Sequence, residues 1–410
     1  MEKQFITPEM TAPYRKMVLE RIRKEHIRRI PQHNGRLFLI STTYPGYWLE
    51  HTFDALAWAQ LYPEDADIAA SQVRFFMEHQ REDGRLPCNI IDDSILEGRN
   101  EIHVFYTQLQ ECVSFASLCY EAWQMNSQED LGAYYASCCR WDEWLCRNRM
   151  TRGAGLVEMF CGFDSGHDNS SRLWGMKYPA APCREKAENL PEGYPVGCGC
   201  APVLAPDINA VFYGSRRALA RMAEKLNRLD EAAAWEKKAE EVKRRLFDIC
   251  FDPETCFFYD VDKNDRKIPV RSISITSLFC EHVLEKELAD EIYTRYLADP
   301  KEFGTPYPFP AVSVSDPTWQ QRHKGNSWGF YSQGLVALRS LRWMDFYGRG
   351  EEMNRMMRAW ISAWCREDIL RFGQELHPIT GEPSECSQWY SSCMLYFLHA
   401  LRRLGLENPV

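Results

Sequence analysis

Residues 162–174, GFDSGHDNSSRLW, hold the densest run of chemically able groups in this chain: Asp164 and Asp168 stand four apart, with His167, Asn169, serines and Arg172 between Gly-flanked aromatics. Carboxyls in such a setting suit general acid and base work. Burial among Phe163 and Trp174 would disfavour the charged form of Asp168 and let it hold a proton near neutral pH. The same composition also suits a solvated turn that caps a helix, because Asp, Asn and Ser accept hydrogen bonds from the free N–H groups of a first helical turn. Residue types alone leave these two readings level.

Other polar segments are thinner. The run WQQRHKGNSW places Arg322, His323 and Lys324 together, where they suit a substrate carboxylate or phosphate, or simply an exposed solvated loop. His51 and His377 are isolated histidines, which more often hydrogen-bond than ligate or transfer protons. Cys198 and Cys200 are the one pair with a suspicious spacing, but no second pair or histidine cluster accompanies them, so no metal and no cofactor is expected. The sixteen cysteines read as buried thiols of a reducing compartment.

A formal net charge of −9 excludes a general polyanion binder, so no nucleic-acid partner is expected. The N-terminal MEKQFITPEM has no apolar leader segment, and no apolar run approaches the ~18 residues of a membrane span. No membrane partner is expected, a cytoplasmic location follows by default, and oligomeric state is not legible.

The rest of the chain must position the cluster. Hydrophobic residues make up 45% of it and aromatics 13%, enough for a large core, and no low-complexity linker divides it. Residues 1–410 are therefore expected to form one catalytic domain. Helical periodicity predicts twelve helices, at 14–29, 51–62, 64–79, 106–124, 127–149, 205–227, 229–247, 272–283, 285–297, 327–347, 350–365 and 386–404.

These alternate in character. Segments such as HTFDALAWAQLY and SQWYSSCMLYFLHAL are apolar around most of their circumference and read as inner helices, whereas LDEAAAWEKKAEEVKRRLFDI carries a charged face and reads as outer. The expected fold is all-α, an (α/α)6 toroid barrel of six helical hairpins, the last helix pairing with the first. Every loop that precedes an inner helix then lies at one mouth: 44–50, 82–106, 159–206, 262–272, 300–328 and 371–389. A small β element is expected around CFFYDVDK.

GFDSGHDNSSR resembles the Glu-Ser-Gly-x-Asp-Asn-Ser loop of glycoside hydrolase family 63 and its mannosylglycerate, glucosylglycerate hydrolase and trehalase relatives. YWLEHTFDALAWA, EDGRLPCNI, FYTQLQ, PDINAVFYGSRRALARMAE, KGNSWGFYS and ELHPITGEP resemble further family stretches in the same order, from about residue 40 onward. The resemblance implies an inverting α-glycosidase acting on a small α-glucoside or α-mannoside, with Asp168 as the catalytic acid. The family's base position falls on Gln374 in an ungapped alignment, and an amide cannot take a proton from water. Glu375, one residue along, is the expected base, with Glu382 second. Glu50, Gln108, Asp164, His167, Arg172, Trp328, His377 and Trp389 are the expected substrate-binding residues.

Two departures stand out: the family's Glu of Glu-Ser-Gly is Asp164 here, and its Trp-Asp is Leu49–Glu50. Each keeps a carboxylate and alters its reach by one methylene. The partner expected is a small oligosaccharide or glycoside. Two other functions fit the same scaffold: an inverting glycoside phosphorylase, in which phosphate replaces water, and a non-catalytic carbohydrate-binding barrel. An intact Asp168 within DNS argues against the last.

Overall fold

The computed structural model describes residues 6–92, 102–173, 202–320, 324–366 and 372–407. Trp174, Cys198, Cys200, Arg322 and His323 lie outside the described residues. The chain is mainly helical. Among the described residues twelve α-helices run in order as α1 (Pro8–Arg21), α2 (Thr52–Leu61), α3 (Asp67–Glu78), α4 (Phe115–Met125), α5 (Leu131–Asn148) and α6 (Pro206–Lys225), then α7 (Leu229–Cys250), α8 (Thr276–Cys280), α9 (Lys286–Ile292), α10 (Gly334–Arg339), α11 (Gly350–Trp364) and α12 (Ser391–Arg403). Each overlaps one of the expected segments, but the first ends early: 27–29, expected to be helical, belong to a strand, Ile27–Ile30, that pairs with Arg36–Leu39.

Several helices are shorter than their periodicity predicts, α4, α8 and α10 among them. α4 begins at Phe115, after Ser114 caps it by accepting the N–H of Ser117 at 3.0 Å, which frees 106–114 as a connection. α8 is a single turn preceded by a tight turn at Ile273–Ile275. α10 begins at Gly334 because Ser332–Gln333 pairs instead with Glu375–Leu376 as an antiparallel ladder.

The inner and outer layers follow from composition. In α2 all residues but Gln60 are buried, and α12 is buried through most of its length. α7 buries Ala232, Trp235, Ala239, Val242, Leu246 and Cys250 alone, three or four residues apart, so it lays one stripe on the core and turns the rest to solvent. Large side chains such as Trp58 and Leu56, each fully buried, contribute about 1.5–3 kcal/mol apiece.

Among the inner helices, α2 packs on α4, α4 on α6, α6 on α8 and α10 on α12, and α12 returns to α2. Between α8 and α10 the Cys280 thiol donates to the Arg339 carbonyl at 3.7 Å. Small antiparallel sheets fill the loops, among them Tyr47–Trp48 with Asn89–Asp92 and Ile102–Phe105, and Glu158–Met159 with Val203–Leu204, Asp260–Val261 and Lys267–Ile268. The expected β element is there as the Phe251–Asp252 and Phe257–Phe258 hairpin and the adjoining Asp260–Val261 strand. Among the described residues no helix is long and apolar enough to cross a membrane.

The return of the last helix to the first inner one is fixed by a buried carboxylate. Asp54 of α2 accepts from the Ser391 hydroxyl at 2.6 Å and the Ser392 hydroxyl at 2.9 Å, and burial raises its pKa to about 6. Removing the acceptor strands two buried hydroxyls. Asp54→Ala is therefore expected to cost about 2–4 kcal/mol of unfolding free energy, and Asp54→Asn less, read from the denaturant midpoint.

Candidate active site

Four of the six expected mouth loops, 44–50, 159–206, 300–328 and 371–389, meet around a narrow pocket, whereas 82–106 and 262–272 contribute no described residue to its lining. Its walls include Tyr44, Trp48 and Glu50 before α2, Gln110 before α4, Gly166 and Asp168 before α6, Asn326 and Trp328 before α10, and Gln374 and Tyr390 before α12. Free volume at its centre is about 50 Å³, well under the ~300–1,000 Å³ of an ordinary small-molecule site. The walls therefore stand close around two carboxyls, Asp168 and Glu50, and leave room for little more than a water beside them.

Asp168 is presented asymmetrically. The Asn326 side-chain amide donates to its Oδ2 at 2.8 Å, while Oδ1 is buried with no hydrogen-bond partner. Burial raises its pKa to about 6, opposed by the Asn326 bond and reinforced by the charge of Glu375. Because Oδ2 is occupied by a donor, a proton on this group belongs on Oδ1. Asn326 is oriented in turn: the Tyr44 hydroxyl donates to Gln374 Oε1 at 2.8 Å, and Gln374 Nε2 donates to Asn326 Oδ1 at 3.4 Å. Tyr44, Gln374 and Asn326 thus form a chain of hydrogen bonds that ends on the acid.

Backbone geometry fits this use. Asn169 (φ 58°) and Asn326 (φ 51°) are left-handed, a conformation Asn tolerates, and Asn169 donates to the Asn326 carbonyl at 2.9 Å. Gly166 (φ 68°) passes so close to Glu50 that a Cβ there would lie 2.6 Å from Oε2. The Trp328 N–H donates to the Asp168 carbonyl at 3.1 Å, and the indole stacks on His167 with centroids 3.9 Å apart.

Glu50 receives the Cys112 thiol at 3.6 Å and stands 3.5 Å from His51 Nε2. Burial raises its pKa to about 7, with Arg339 pulling the other way and Asp168 adding to the rise. His51 is kept neutral by burial and bonds to the Tyr390 hydroxyl at 2.8 Å.

Most other expected site residues stand behind those that line the pocket. Asp164 is fully buried and accepts from Leu109 N at 2.8 Å, Phe160 N at 2.8 Å and Arg149 Nη1 at 2.7 Å, so it ties the 106–114 loop to the Asp168 loop. Gln108 is buried and donates to Gln110 Oε1, orienting the amide that does line the pocket. His167 backs Trp328, and burial beside Arg172 holds its pKa well below the usual histidine range. Arg172 is buried against Asp207 and Asp260, at 3.0 Å from the latter. His377 accepts the N–H groups of Ile379 and Thr380 at 3.2 Å and closes the PITG turn. Trp389 packs under the Arg21 guanidinium, 4.2 Å from its ring centre, and against Phe372.

Both expected bases are displaced as well. Glu375 is fully buried, and it accepts from Asn326 N at 3.0 Å, Ser327 N at 2.6 Å and Gln333 Nε2 at 2.8 Å. The cause is strand alternation: Gln333 and Glu375 are direct cross-strand partners and share a face, so Gln374, one residue earlier, faces the pocket. Glu382 is exposed in the turn beyond, where its carbonyl accepts the His377 N–H at 2.7 Å. Tyr44, Gln110, Asn326 and Tyr390 were not expected from sequence. Gln110 had a signal, two residues beyond Gln108 in an extended run; the others are neutral polar residues without a pattern. Among the described residues no group of three or more His, Cys, Asp or Glu stands together to hold a metal ion.

Over residues 44–392 the chain matches the model of the mannosylglycerate hydrolase MGH1-like glycoside hydrolase domain. It is similar in structure to the family 63 mannosylglycerate hydrolase of Thermus thermophilus in complex with glucose, with a TM-score of 0.71 at 18% identity over 94% of this chain and 99% of that one. The same enzyme in complex with Tris and D-glycerate gives 0.67 at 17% identity, covering 94% and 99%. Neutral trehalase of Saccharomyces cerevisiae gives 0.62 at 14% identity, covering 91% and 75%. An uncharacterized protein of Borreliella burgdorferi is 25% identical over 120 residues, which is 29% of this chain and a quarter, 25%, of that protein's length. At such identities the structural likeness carries the fold alone. The family model, which takes in most of the sequence, carries the assignment: the chain belongs to the mannosylglycerate hydrolase MGH1-like glycoside hydrolase family.

Proposed function

We propose that the protein is an inverting glycoside hydrolase of a small α-glucoside or α-mannoside, that its helices close an (α/α)6 barrel, and that Asp168 is the catalytic acid. The observation that carries this reading is the divided carboxyl of Asp168: Oδ2 is held by Asn326, and Oδ1 lies in a pocket wall without a partner. An acid needs that arrangement, with one oxygen fixed for orientation and the other free to hand its proton to the glycosidic oxygen. Binding of glucose and of D-glycerate to the Thermus enzyme supports a small, polar glycoside as substrate class.

Gln374 favours a second reading. An amide stands at the pocket position where the family resemblance places the base, and a phosphorylase needs no base because phosphate is already a nucleophile. Turnover of natural disaccharides and glycosylglycerates with and without inorganic phosphate separates the two. Turnover that appears only with phosphate, releasing a sugar phosphate, would replace the hydrolase reading.

Two outcomes are expected of the hydrolase. Asp168→Asn should fold normally and lose about 10²–10⁴ of the rate on an unactivated glycoside, in line with general acid catalysis. Proton NMR of the first-formed sugar should show inversion at the anomeric carbon; retention would refute the mechanism. Glu375→Gln, by contrast, exchanges an acceptor of three N–H groups for an amide and loosens Asn326. It should lower activity without any rescue by azide, because no nucleophile can replace a positioning group.

A further inference from the structure

If neither Glu375 nor Glu382 faces the pocket, hydrolysis still needs a second carboxylate there. Among the described residues lining it, Glu50 is the other carboxylate besides Asp168. It enters from the loop before α2 and is confined by Gly166, where a side chain would collide with Oε2. An unusual cation acts on it through space. Arg339 ends α10 one turn below Leu335, which lines the pocket; it is buried, and its Nε and Nη2 have no hydrogen-bond partner. A guanidinium so placed in a protein interior is costly unless a nearby charge uses it. Glu50 is a carboxylate that feels it.

We propose that Glu50 is the general base of this site and that Arg339 is the positioning residue that favours its ionised form. The inference rests on the hydrolase reading. In the step, the oxygen of a water bonds to the anomeric carbon as the glycosidic C–O bond breaks. The water's proton passes to Glu50, the Asp168 proton passes to the leaving oxygen, and solvent later returns a proton from Glu50 to Asp168. Atoms and charges balance, and no co-reactant is required.

The groups that face Glu50 are His51 on its own turn, Gln110 and Cys112 from the loop before α4, Asp168 from the loop before α6, Arg339 of α10 and Tyr390 before α12. Burial keeps His51, Cys112 and Tyr390 neutral, so the charges that matter are two carboxyls and one guanidinium. With values of about 6 for Asp168 and about 7 for Glu50, the pair holds one proton between them in that window, mostly on Glu50, so the reactive form with the proton on Asp168 is the minor one. One proton on two carboxyls is the state an acid and base require, so kcat/KM should be bell-shaped with limbs near those two values. Arg339 favours the charged form of Glu50. Removing it raises the Glu50 pKa, which moves the alkaline limb upward and lowers the peak, because Glu50 holds the shared proton more tightly and the form with the proton on Asp168 becomes rarer.

The experiment uses the full chain with a natural glycoside and with an α-glycosyl fluoride, which leaves without protonation. Glu50→Ala is expected to lose about 10²–10⁴ of hydrolysis, and added azide should restore turnover of the fluoride and give the glycosyl azide of inverted configuration. Arg339→Gln should move the alkaline limb to higher pH with a lower peak, while Arg339→Lys keeps the wild-type profile; this arm stands even if Glu50→Ala fails to fold. A wild type active on glycosides whose Glu50→Ala variant hydrolyses normally, or is lost through KM and not rescued by azide, overturns the base assignment alone. Unmoved limbs in Arg339→Gln overturn the role of Arg339. A wild type without activity on any glycoside fails the hydrolase reading first, and this inference with it.

Discussion

A carboxyl group denied water must be given hydrogen-bond donors, a counter-charge or a proton, and the loops of this protein are built on how that requirement is met at four carboxyls. Asp164 receives Arg149 and backbone N–H groups and serves structure. Glu375 receives three N–H donors and serves likewise. Asp168 receives one donor on one oxygen. Glu50 receives a weak thiol donor and feels the charge of a guanidinium nearby. The first two are saturated and hold loops in place; the last two line the pocket with fewer donors.

The saturated pair explains why the other pair can exist. Asp164 fixes the turn from which Asp168 projects and, by accepting the N–H of Leu109, fixes the segment that carries Gln110. Glu375 grips the N–H groups of Asn326 and Ser327, which sets the Asn326 amide against Asp168. Asp168 is thus oriented by two buried carboxylates that are not among the residues lining the pocket. A narrow pocket follows, because neutral amides, hydroxyls and indoles fill the space that charged side chains would keep hydrated.

Much of this was legible in the sequence. The twelve helices, their inner and outer characters and the convergence of loops follow from apolar periodicity, which a one-dimensional pattern reports well. Asp168 followed from a resemblance local enough to survive the departures around it. What failed was the choice between facing the pocket and standing behind it. Asp164 and Gln108 lie within two to four residues of groups that line the pocket, and no periodicity operates in loops to say which way a side chain turns. The pair Gln374 and Glu375 was decidable in principle, since strand alternation forces them apart, but the decision required knowing that Glu375 pairs with Gln333 across a ladder of two residues. Tyr44, Asn326 and Tyr390 are neutral and scattered, and only the fold brings them to one place.

The central claim is that Asp168 hands its proton to the departing oxygen, and leaving-group dependence tests it most directly. Aryl glycosides of graded leaving-group acidity can be compared in the wild type and in Asp168→Asn. A proton donor matters less as the leaving group needs less help, so the two rates should converge across the series and the variant should depend far more steeply on leaving-group acidity. A variant slowed by the same factor on every member of the series would show that Asp168 shapes the pocket without donating a proton, and would contradict the account.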